Sequence, residues 1–271
     1  MRPVTILLLV LAFGVGGCGS EDADRLRERV QALEQRARAE ADQLRERFRD
    51  VLTALERKIP EARQTSPEVR RGREDVDEFL TTVLANIDGY WTETLRENGL
   101  PEPSVFYVWV PPDRQAASAC GPAGDTAAFY CSADDTIYVS QRFAADLWDG
   151  VLGRLPGEGR AAGDFGVAYV VAHEYAHNLQ AEFGVLEEFR GATVRPLELQ
   201  ADCFAGAWGN SVYKQGLLQP GDIEEAIGTA LAVGDFDVNN AQHHGTPDER
   251  RAAWLLGFES GQPSKCVLSA E

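Results

Sequence analysis

The apolar residues between Asp24 and Ile59 recur at every third or fourth position of the chain. They are Leu26, Val30, Leu33, Ala37, Ala41, Leu44, Phe48, Val51, Leu55 and Ile59. This spacing aligns them on one face, so the segment predicts one long amphipathic helix with Arg- and Glu-rich outer faces. Three roles fit such a helix: a coiled coil through which copies self-associate, a spacer, and a helix packed on the neighbouring domain. We favour the spacer or the packed helix.

A second helix is predicted after a break at residues 60–67. Ser66-Pro67 is a typical helix start, because serine caps the first turn and proline suits the first helical position. The following apolar stripe is broad enough for a core helix and ends at Gly99. It contains Val76, Phe79, Leu80, Val83, Leu84, Ile87, Tyr90, Trp91 and Leu95.

Two short runs, 104–110 (SVFYVWV) and 136–140 (TIYVS), predict β-strands because they are rich in β-branched and aromatic residues. The rest of the chain predicts mainly helices joined by Gly- and Pro-containing loops. The sequence therefore predicts an α+β, mostly helical domain over residues 66–268. A helical segment, 19–65, and an N-terminal segment, 1–18, precede it.

The net charge narrows the classes of molecule that the protein is expected to bind. The chain has 271 residues, 44% of them hydrophobic, with 26 basic and 43 acidic side chains and a formal net charge of −17. The apolar content excludes a wholly disordered chain. The negative charge argues against binding to nucleic acid or to an anionic lipid surface, because both would repel it.

The N-terminal segment has the form of an export signal. Arg2 precedes an apolar run from Val4 to Val15, which is followed by Gly16-Gly17-Cys18. The cysteine makes the segment resemble a bacterial lipoprotein signal, in which that cysteine is lipidated and becomes the mature N-terminus. An ordinary cleaved signal is the alternative, whereas a retained transmembrane anchor is disfavoured because the run is too short. The segment predicts a lipid-anchored protein of the bacterial cell envelope, outside the cytoplasm.

The other four cysteines are expected in an oxidising compartment, where they can form two disulfides. Spacing alone allows three connectivities. Cys120 and Cys131 enclose a short loop that contains glycine, so we pair them, and Cys203 then pairs with Cys266. A cysteine-based zinc cluster is disfavoured because the chain has no Cys-x-x-Cys pair.

The segment His173-Glu174-Tyr175-Ala176-His177 has the His-Glu-x-x-His spacing of zinc peptidases. On a helix, His173 and His177 lie one turn apart on one face, so both imidazoles can reach one Zn²⁺ ion. Glu174 lies near enough to bond a metal-bound water as a general base. The alternative is a helix with two incidental histidines, which is weakened because the chain has only 4 His.

A catalytic zinc with two histidine ligands needs a third protein ligand and an open position. Glu198 and Asp202 follow Pro196 and fall one turn apart on a predicted helix. Glu198 can complete the ligand set, and Asp202 can accept a hydrogen bond from the far ring nitrogen of a ligand histidine. A solvated acidic face is the alternative, but the surrounding residues are mostly apolar, and carboxylates in apolar surroundings usually have a partner.

The two remaining histidines, His243 and His244, precede Gly245-Thr246. One of them can donate a hydrogen bond to the oxyanion that forms when water attacks a peptide carbonyl. A polar surface loop is the equally weighted alternative.

With these motifs the chain resembles the putative neutral zinc metallopeptidases of bacteria, which are similar in fold to the thermolysin-like gluzincins. The resemblance runs from about Val76 to Cys266, and the long helix before Ser66 lies outside it. The matching segments are Tyr90-Trp91, Cys120-Gly121, Phe129-Tyr130-Cys131, 172–180 (AHEYAHNLQ), 198–206 (ELQADCFAG), 220–226 (PGDIEEA), Gly234-Asp235, 244–246 (HGT), Arg250, Gly257-Phe258, Ser260-Gly261 and Cys266.

The resemblance implies a zincin-like domain with zinc ligands at His173, His177 and Glu198 and a catalytic base at Glu174. It also selects His244 over His243, because His244 directly precedes Gly-Thr. The chain departs from the family pattern at Ala176, Asn178, Phe236 and Pro247, none of which removes a ligand or the base.

The predicted function is zinc-dependent hydrolysis of peptide or protein substrates at the outer face of a bacterial membrane. The alternative is a catalytically silent, zinc-stabilised binding or chaperone-like lipoprotein. Glu174 counts against that alternative, because a structural zinc needs no base.

Overall fold

The computed structural model describes residues 73–150, 163–189, 193–234 and 243–267. The signal segment with Cys18 and the predicted helix 24–59 lie outside these residues, so their assignments stay predictions. Across the four described ranges, no helix combines the length and the apolar content that crossing a membrane requires.

The described part is mostly helical, with one small sheet, and is an α+β fold. The helices are α1 (Arg73–Glu97), α2 (Gln141–Trp148), α3 (Asp164–Glu182), α4 (Val185–Glu188), α5 (Arg195–Lys214), α6 (Asp222–Val233) and α7 (Pro247–Ser260). The strands are β1 (Phe106–Val110), β2 (Ala128–Cys131) and β3 (Thr136–Ser140). A short 3-10 helix, Pro263–Lys265, follows α7.

Helix α1 confirms the predicted apolar stripe. Its inner positions are buried, among them Leu80 and Ile87, both 0% exposed, and Trp91. The residues on either side of this line are half-buried or exposed, which is the pattern of a helix packed along one face of a core.

The sheet has the strand order β1-β3-β2. β1 runs parallel to β3, with Phe106 opposite Thr136, and β2 runs antiparallel to β3, with Tyr130 opposite Ile137. All five residues of β3 are buried, as expected for the central strand. Two of the three strands were predicted, although β1 begins two residues later than expected, and β2 was missed because four residues are too few for a clear alternation.

Helix α3 is the central element. Most of its residues are buried, because α1, α5, α6 and the sheet surround it. A helix that is apolar on nearly all sides belongs in the core of a domain, so the polar side chains it carries there need partners.

Helices α5 and α7 touch through their backbones. A Cβ atom at Gly206 would lie 2.0 Å from the carbonyl oxygen of Trp254, and one at Gly257 would lie 1.9 Å from that of Cys203. Only glycine allows this approach, which brings α7 against the middle of α5, next to Asp202.

Candidate metal centre

Three predicted ligand side chains converge between α3 and α5. His173 Nε2 lies 3.2 Å from His177 Nε2 and 3.2 Å from Glu198 Oε2, and His177 Nε2 lies 3.5 Å from Glu198 Oε1. The two histidines come from successive turns of α3, and Glu198 comes from the first turn of α5. The two imidazole nitrogens and the Glu198 carboxylate thus form a compact triangle.

This triangle has the size that zinc requires. Ligands that bind zinc tetrahedrally at about 2.0–2.1 Å lie about 3.3–3.4 Å from one another. Two neutral imidazoles and one carboxylate are also a donor set typical of catalytic zinc, with a fourth position for water or substrate. His173, His177 and Glu198 therefore fit a zinc ion.

Asp202 supports His173 from the next turn of α5. Its carboxylate is 0% exposed, and Oδ1 lies 2.9 Å from His173 Nδ1. The ring therefore donates from Nδ1 and keeps Nε2 for a metal. This is the contact that the spacing of Glu198 and Asp202 predicts, and the structure assigns it to His173 rather than His177.

Two further residues complete the surroundings of Asp202. Arg250 on α7 donates from Nε to Oδ2 at 2.7 Å and from Nη2 to Oδ1 at 2.8 Å, and Tyr169 donates its hydroxyl to Oδ1 at 2.5 Å. Burial raises the pKa of Asp202, but Arg250 and His173 outweigh burial and hold that pKa below its ordinary value. Asp202 is therefore a buried, ionised and fully occupied acceptor.

In the metal-free protein, the neighbouring groups also shift the pKa values of His173 and Glu198. Burial disfavours the charged form of His173, yet its hydrogen bonds to Asp202 and Glu198 prevail and raise the pKa of the ring to about 9. Burial likewise raises the pKa of Glu198, but the two histidines hold it well below its usual range. Metal binding at neutral pH must therefore displace a proton from His173.

His177 is supported differently. Its Nδ1 lies 2.8 Å from Oε1 of Gln180, one turn further along α3. Gln180 and Arg250 were predicted no further than as parts of the segments that carry the family resemblance, and no role was predicted for Tyr169. The i, i+3 spacing of His177 and Gln180 is a sequence signal for their contact. No local sequence signal connects Arg250 with His173.

The predicted base Glu174 is held by the sheet. Its Oε2 accepts a hydrogen bond from the backbone N–H of Tyr130 in β2 at 2.8 Å. Strand β2, which the sequence pattern did not predict, therefore forms one wall of the site.

A cleft of about 580 Å³ opens above the triangle. Glu174 and His244 both line it, together with the ligand histidines and Glu198. His244 is exposed, whereas its neighbour His243 is 3% exposed and does not line the cleft. Of the two histidines, His244 is thus the one that faces the cleft.

The four cysteines form the two disulfides that the short loop between Cys120 and Cys131 favours. Cys120 is bonded to Cys131, and Cys203 is bonded to Cys266. The second bond ties the C-terminal end of the described chain to α5 beside Asp202.

Comparison with known proteins agrees with this geometry. The family model described as "putative neutral zinc metallopeptidase" matches residues 47–268. The match begins inside segment 19–65 and so extends further towards the N-terminus than the resemblance predicted.

Two relatives illustrate the similarity. The uncharacterized protein YpfJ of Escherichia coli (strain K12) is 33% identical over 228 residues, which cover 75% of each chain. The uncharacterized protein Rv2575 of Mycobacterium tuberculosis (strain H37Rv) is 31% identical over 208 residues, or 67% of this chain and 66% of the relative. No solved structure matches the chain significantly.

Proposed function

Since the chain belongs to the putative neutral zinc metallopeptidase family, we propose that it hydrolyses peptide bonds with one zinc ion held by His173, His177 and Glu198. The observation that carries the proposal is the convergence of these three donors in a cleft that Glu174 also lines. The proposal includes a zincin-like scaffold, because the His-Glu-x-x-His helix lies against a small sheet whose outer strand borders the cleft.

Each residue has a role set by its position. A bound zinc ion lowers the pKa of water and polarises the scissile carbonyl. Glu174 accepts the proton of the attacking water and passes it to the leaving amine. His244 donates a hydrogen bond to the carbonyl oxygen as negative charge develops there. Asp202 keeps His173 in the tautomer that binds metal.

Strand β2 offers a way to bind an extended peptide. Ser140 N–H donates to Ala127 C=O, so the alternation of an antiparallel pair turns the backbone groups of Ala128 and Tyr130 away from β3. The Tyr130 N–H indeed points to Glu174. A substrate strand can add to this edge with its scissile bond near the metal.

The cleft walls suit uncharged side chains. Apart from the site residues described above, the lining is apolar or aromatic: Ala128, Phe129, Tyr130, Phe143, Tyr169, Val170 and Val233. The net charge of −17 therefore acts on the approach of substrates more than on the residues next to the scissile bond.

The N-terminal sequence supports a location outside the cytoplasm. We propose that lipidation of Cys18 anchors the protein at the outer face of a bacterial membrane. Replacement of Cys18 by serine is expected to release the protein from the membrane fraction, and retention of this variant there would contradict the anchor.

The function is tested with the purified full chain and a mixed peptide library. We expect about one zinc ion per chain by elemental analysis, cleavage of peptides, loss of cleavage with a chelator, and recovery on adding zinc. Glu174→Gln is expected to keep zinc and to lose about 10²–10⁴-fold in rate, the usual contribution of a general base.

Two outcomes separate the alternatives. A wild-type protein that binds zinc and cleaves no peptide would favour the silent, zinc-stabilised binding protein. A Glu174→Gln protein that cleaves at the wild-type rate would remove Glu174 from the mechanism.

A further inference from the structure

Gln180 is a buried amide bonded to the second histidine ligand. Its side chain is 1% exposed, and its Oε1 lies 2.8 Å from His177 Nδ1. It lies on α3 one turn beyond His177, so the same helix holds both partners. The chemistry proposed above gives this glutamine no task.

The orientation of the Gln180 amide follows from a backbone carbonyl. The amide nitrogen, Nε2, lies 2.8 Å from the carbonyl oxygen of Leu197 in α5. A carbonyl oxygen only accepts hydrogen bonds, so the NH₂ group must face Leu197 and the amide oxygen must face His177. His177 therefore donates from Nδ1, which leaves the Nε2 lone pair free for a metal.

A second glutamine fixes the first. Gln180 Nε2 also donates to Oε1 of Gln200 at 3.1 Å, and Gln200 Nε2 donates to the backbone carbonyl of Cys266 at 2.9 Å. That carbonyl again can only accept, so both amides are oriented in the same sense. The hydrogen bonds run in one direction, from His177 through Gln180 and Gln200 to the backbone carbonyl of Cys266. We call this series of hydrogen bonds the relay.

The end of this relay is covalently held. Cys266 is 5% exposed, its backbone N–H donates to Pro263 C=O at 2.9 Å, and its side chain is bonded to Cys203. Cys203 lies on α5 three residues after Gln200, so the disulfide holds the Cys266 carbonyl beside the helix that carries the amide.

We propose that Gln180 is the positioning residue of His177, and that Gln200 and the disulfide-held carbonyl of Cys266 hold Gln180 in place. The affinity of the site for zinc then depends on the Cys203–Cys266 bond, although neither cysteine approaches the metal as a ligand. This inference rests on the proposed zinc site.

The two ligand histidines are thus supported by different chemistry. His173 donates to an ionised carboxylate that Arg250 neutralises, whereas His177 donates to a neutral amide. A neutral partner adds no charge to a buried site that already holds Glu198 and Asp202. The relay therefore sets the direction of the ring without adding to the desolvation cost of the site.

The experiment measures metal binding by the full-length protein. The dissociation constant for zinc is obtained by competition with a chromophoric chelator at fixed pH, and the visible spectrum of the cobalt-substituted protein reports the coordination geometry. Four variants are compared with wild type: Gln180→Met, Gln200→Met, the disulfide-free Cys203→Ala/Cys266→Ala, and the combination of the last two.

Gln180→Met keeps the volume of the side chain and removes its hydrogen bonds. We expect the zinc dissociation constant to rise about 10–100-fold, the usual effect of losing such a partner, and the cobalt bands to shift. Gln200→Met leaves the His177–Gln180 and Gln180–Leu197 bonds intact, so a smaller rise is expected. The disulfide-free variant is expected to weaken zinc binding in the wild-type background but not further in the Gln200→Met background.

Tyr175→Phe is the matched control. Tyr175 lies on α3, is 0% exposed, and donates its hydroxyl to Asp88 at 2.7 Å. Its loss is expected to lower thermal stability and to leave the zinc dissociation constant and the cobalt spectrum unchanged, which distinguishes general loosening of α3 from the loss of positioning.

A Gln180→Met protein that binds zinc within twofold of wild type, with unchanged cobalt bands, overturns the inference. Equal effects of Gln180→Met and Tyr175→Phe on the dissociation constant also overturn it. If wild type binds neither zinc nor cobalt, the inference and the proposed function both fail. If it binds metal without cleaving peptides, only the proposed activity fails, because every readout above concerns the metal.

Discussion

Asp202 is the residue on which the electrostatics of the candidate metal centre depend. It is fully buried and receives hydrogen bonds from His173, Tyr169 and Arg250. A buried carboxylate is tolerated when a cation and further donors surround it, and the same surroundings make each partner dependent on the others.

Asp202→Asn is expected to be far more damaging than its small change in shape suggests. It removes the nearest anionic partner of the buried Arg250 charge and leaves Glu198 Oε2, 3.5 Å from Nη2, as the remaining one. The free energy of unfolding of the metal-free protein should therefore fall, toward the lower end of the about 3–5 kcal/mol that breaking a buried ion pair costs. Zinc affinity should also fall about 10–100-fold because His173 loses its acceptor. Chemical denaturation and chelator competition measure the two effects.

Tyr169→Phe serves as the control, because it removes one hydrogen bond to Asp202 and keeps the ion pair. It should cost about 1 kcal/mol. Equal losses of stability in Asp202→Asn and Tyr169→Phe would show that the charge is not what matters at this position.

Glu225 is a carboxylate whose surroundings, unlike those of Asp202, disfavour its charged form. Its carboxylate, with those of Asp164 and Asp222, forms a group whose oxygen atoms lie within 4.8 Å of one another. Burial and the two neighbouring carboxylates raise the pKa of Glu225 to about 7. Between about pH 4.5 and pH 7 the folded protein therefore holds a proton that the unfolded chain has released.

This proton makes the free energy of unfolding fall as the pH rises through that window, and the loss is complete above it. Glu225→Gln should remove the loss, because the amide stays neutral and can still accept from Phe165 N–H. After allowance for solvent screening we expect a gain of about 1 kcal/mol at pH 8, or roughly 2–4 °C in Tm, and no gain at pH 4.

Thermal melts of the metal-free protein from pH 4 to pH 8 test this. Glu224→Gln makes the same change of charge at an exposed position of the same helix. If Glu225→Gln and Glu224→Gln show the same dependence of Tm on pH, the prediction for Glu225 is wrong.

At the scale of elements, the contact of α5 with α7 decides the geometry of the site. Arg250 reaches Asp202 because the backbones of the two helices meet at Gly206 and Gly257. A wider separation would move the guanidinium away from the carboxylate and leave two buried charges apart.

Gly206→Ala is therefore expected to destabilise the protein by more than about 2 kcal/mol, since the new methyl group would overlap the Trp254 backbone. Gly89→Ala is the counterpart, because Gly89 lies inside α1 with no atom within 4 Å of a built Cβ. It should raise stability by about 0.4–1 kcal/mol. Urea denaturation compares the two, and a neutral Gly206→Ala would argue against a tight α5–α7 contact.

At the scale of the whole molecule, the two disulfides differ in the length of chain they close. Cys203 and Cys266 are separated by 63 residues, whereas Cys120 and Cys131 are separated by 11. Loop-closure entropy then predicts stabilisation of about 4 kcal/mol for the longer loop and about 3 kcal/mol for the shorter one.

Pairwise replacement of each disulfide by alanines should therefore lower the unfolding free energy more at Cys203–Cys266. Denaturation of the two double variants without metal measures the difference. An equal or smaller effect of the longer loop would mean that residual structure in the unfolded chain, rather than loop length, governs the contribution.

Local sequence patterns predicted many of the elements and several of the site residues. The apolar stripe of α1 is periodic over enough residues to predict a helix, and the runs of β1 and β3 contain enough β-branched and aromatic residues to predict strands. The candidate ligands on α3 also followed from spacing, since helix geometry alone puts His173 and His177 on one face. Glu198 was predictable because a histidine pair in a zinc site needs a third donor.

Other features depend on residues that are distant in the chain. Strand β2 has four residues and is specified by pairing with β3. Arg250 meets Asp202 across 48 positions, and Gln200 meets Cys266 across 66. No periodicity encodes such contacts, because they arise from the packing of whole helices.

The sequence by itself determined the chemical types at the site, the one-turn spacing of its paired residues and the signal-like N-terminus, because these depend on neighbours in the chain. The tertiary structure decided that Asp202 accepts a hydrogen bond from His173, that Gln180 accepts one from His177, and that the backbone of β2 donates one to Glu174. A hydrogen bond forms only when donor and acceptor have the right distance and direction. For these residues, both are fixed once α5, α7 and the sheet have packed around α3.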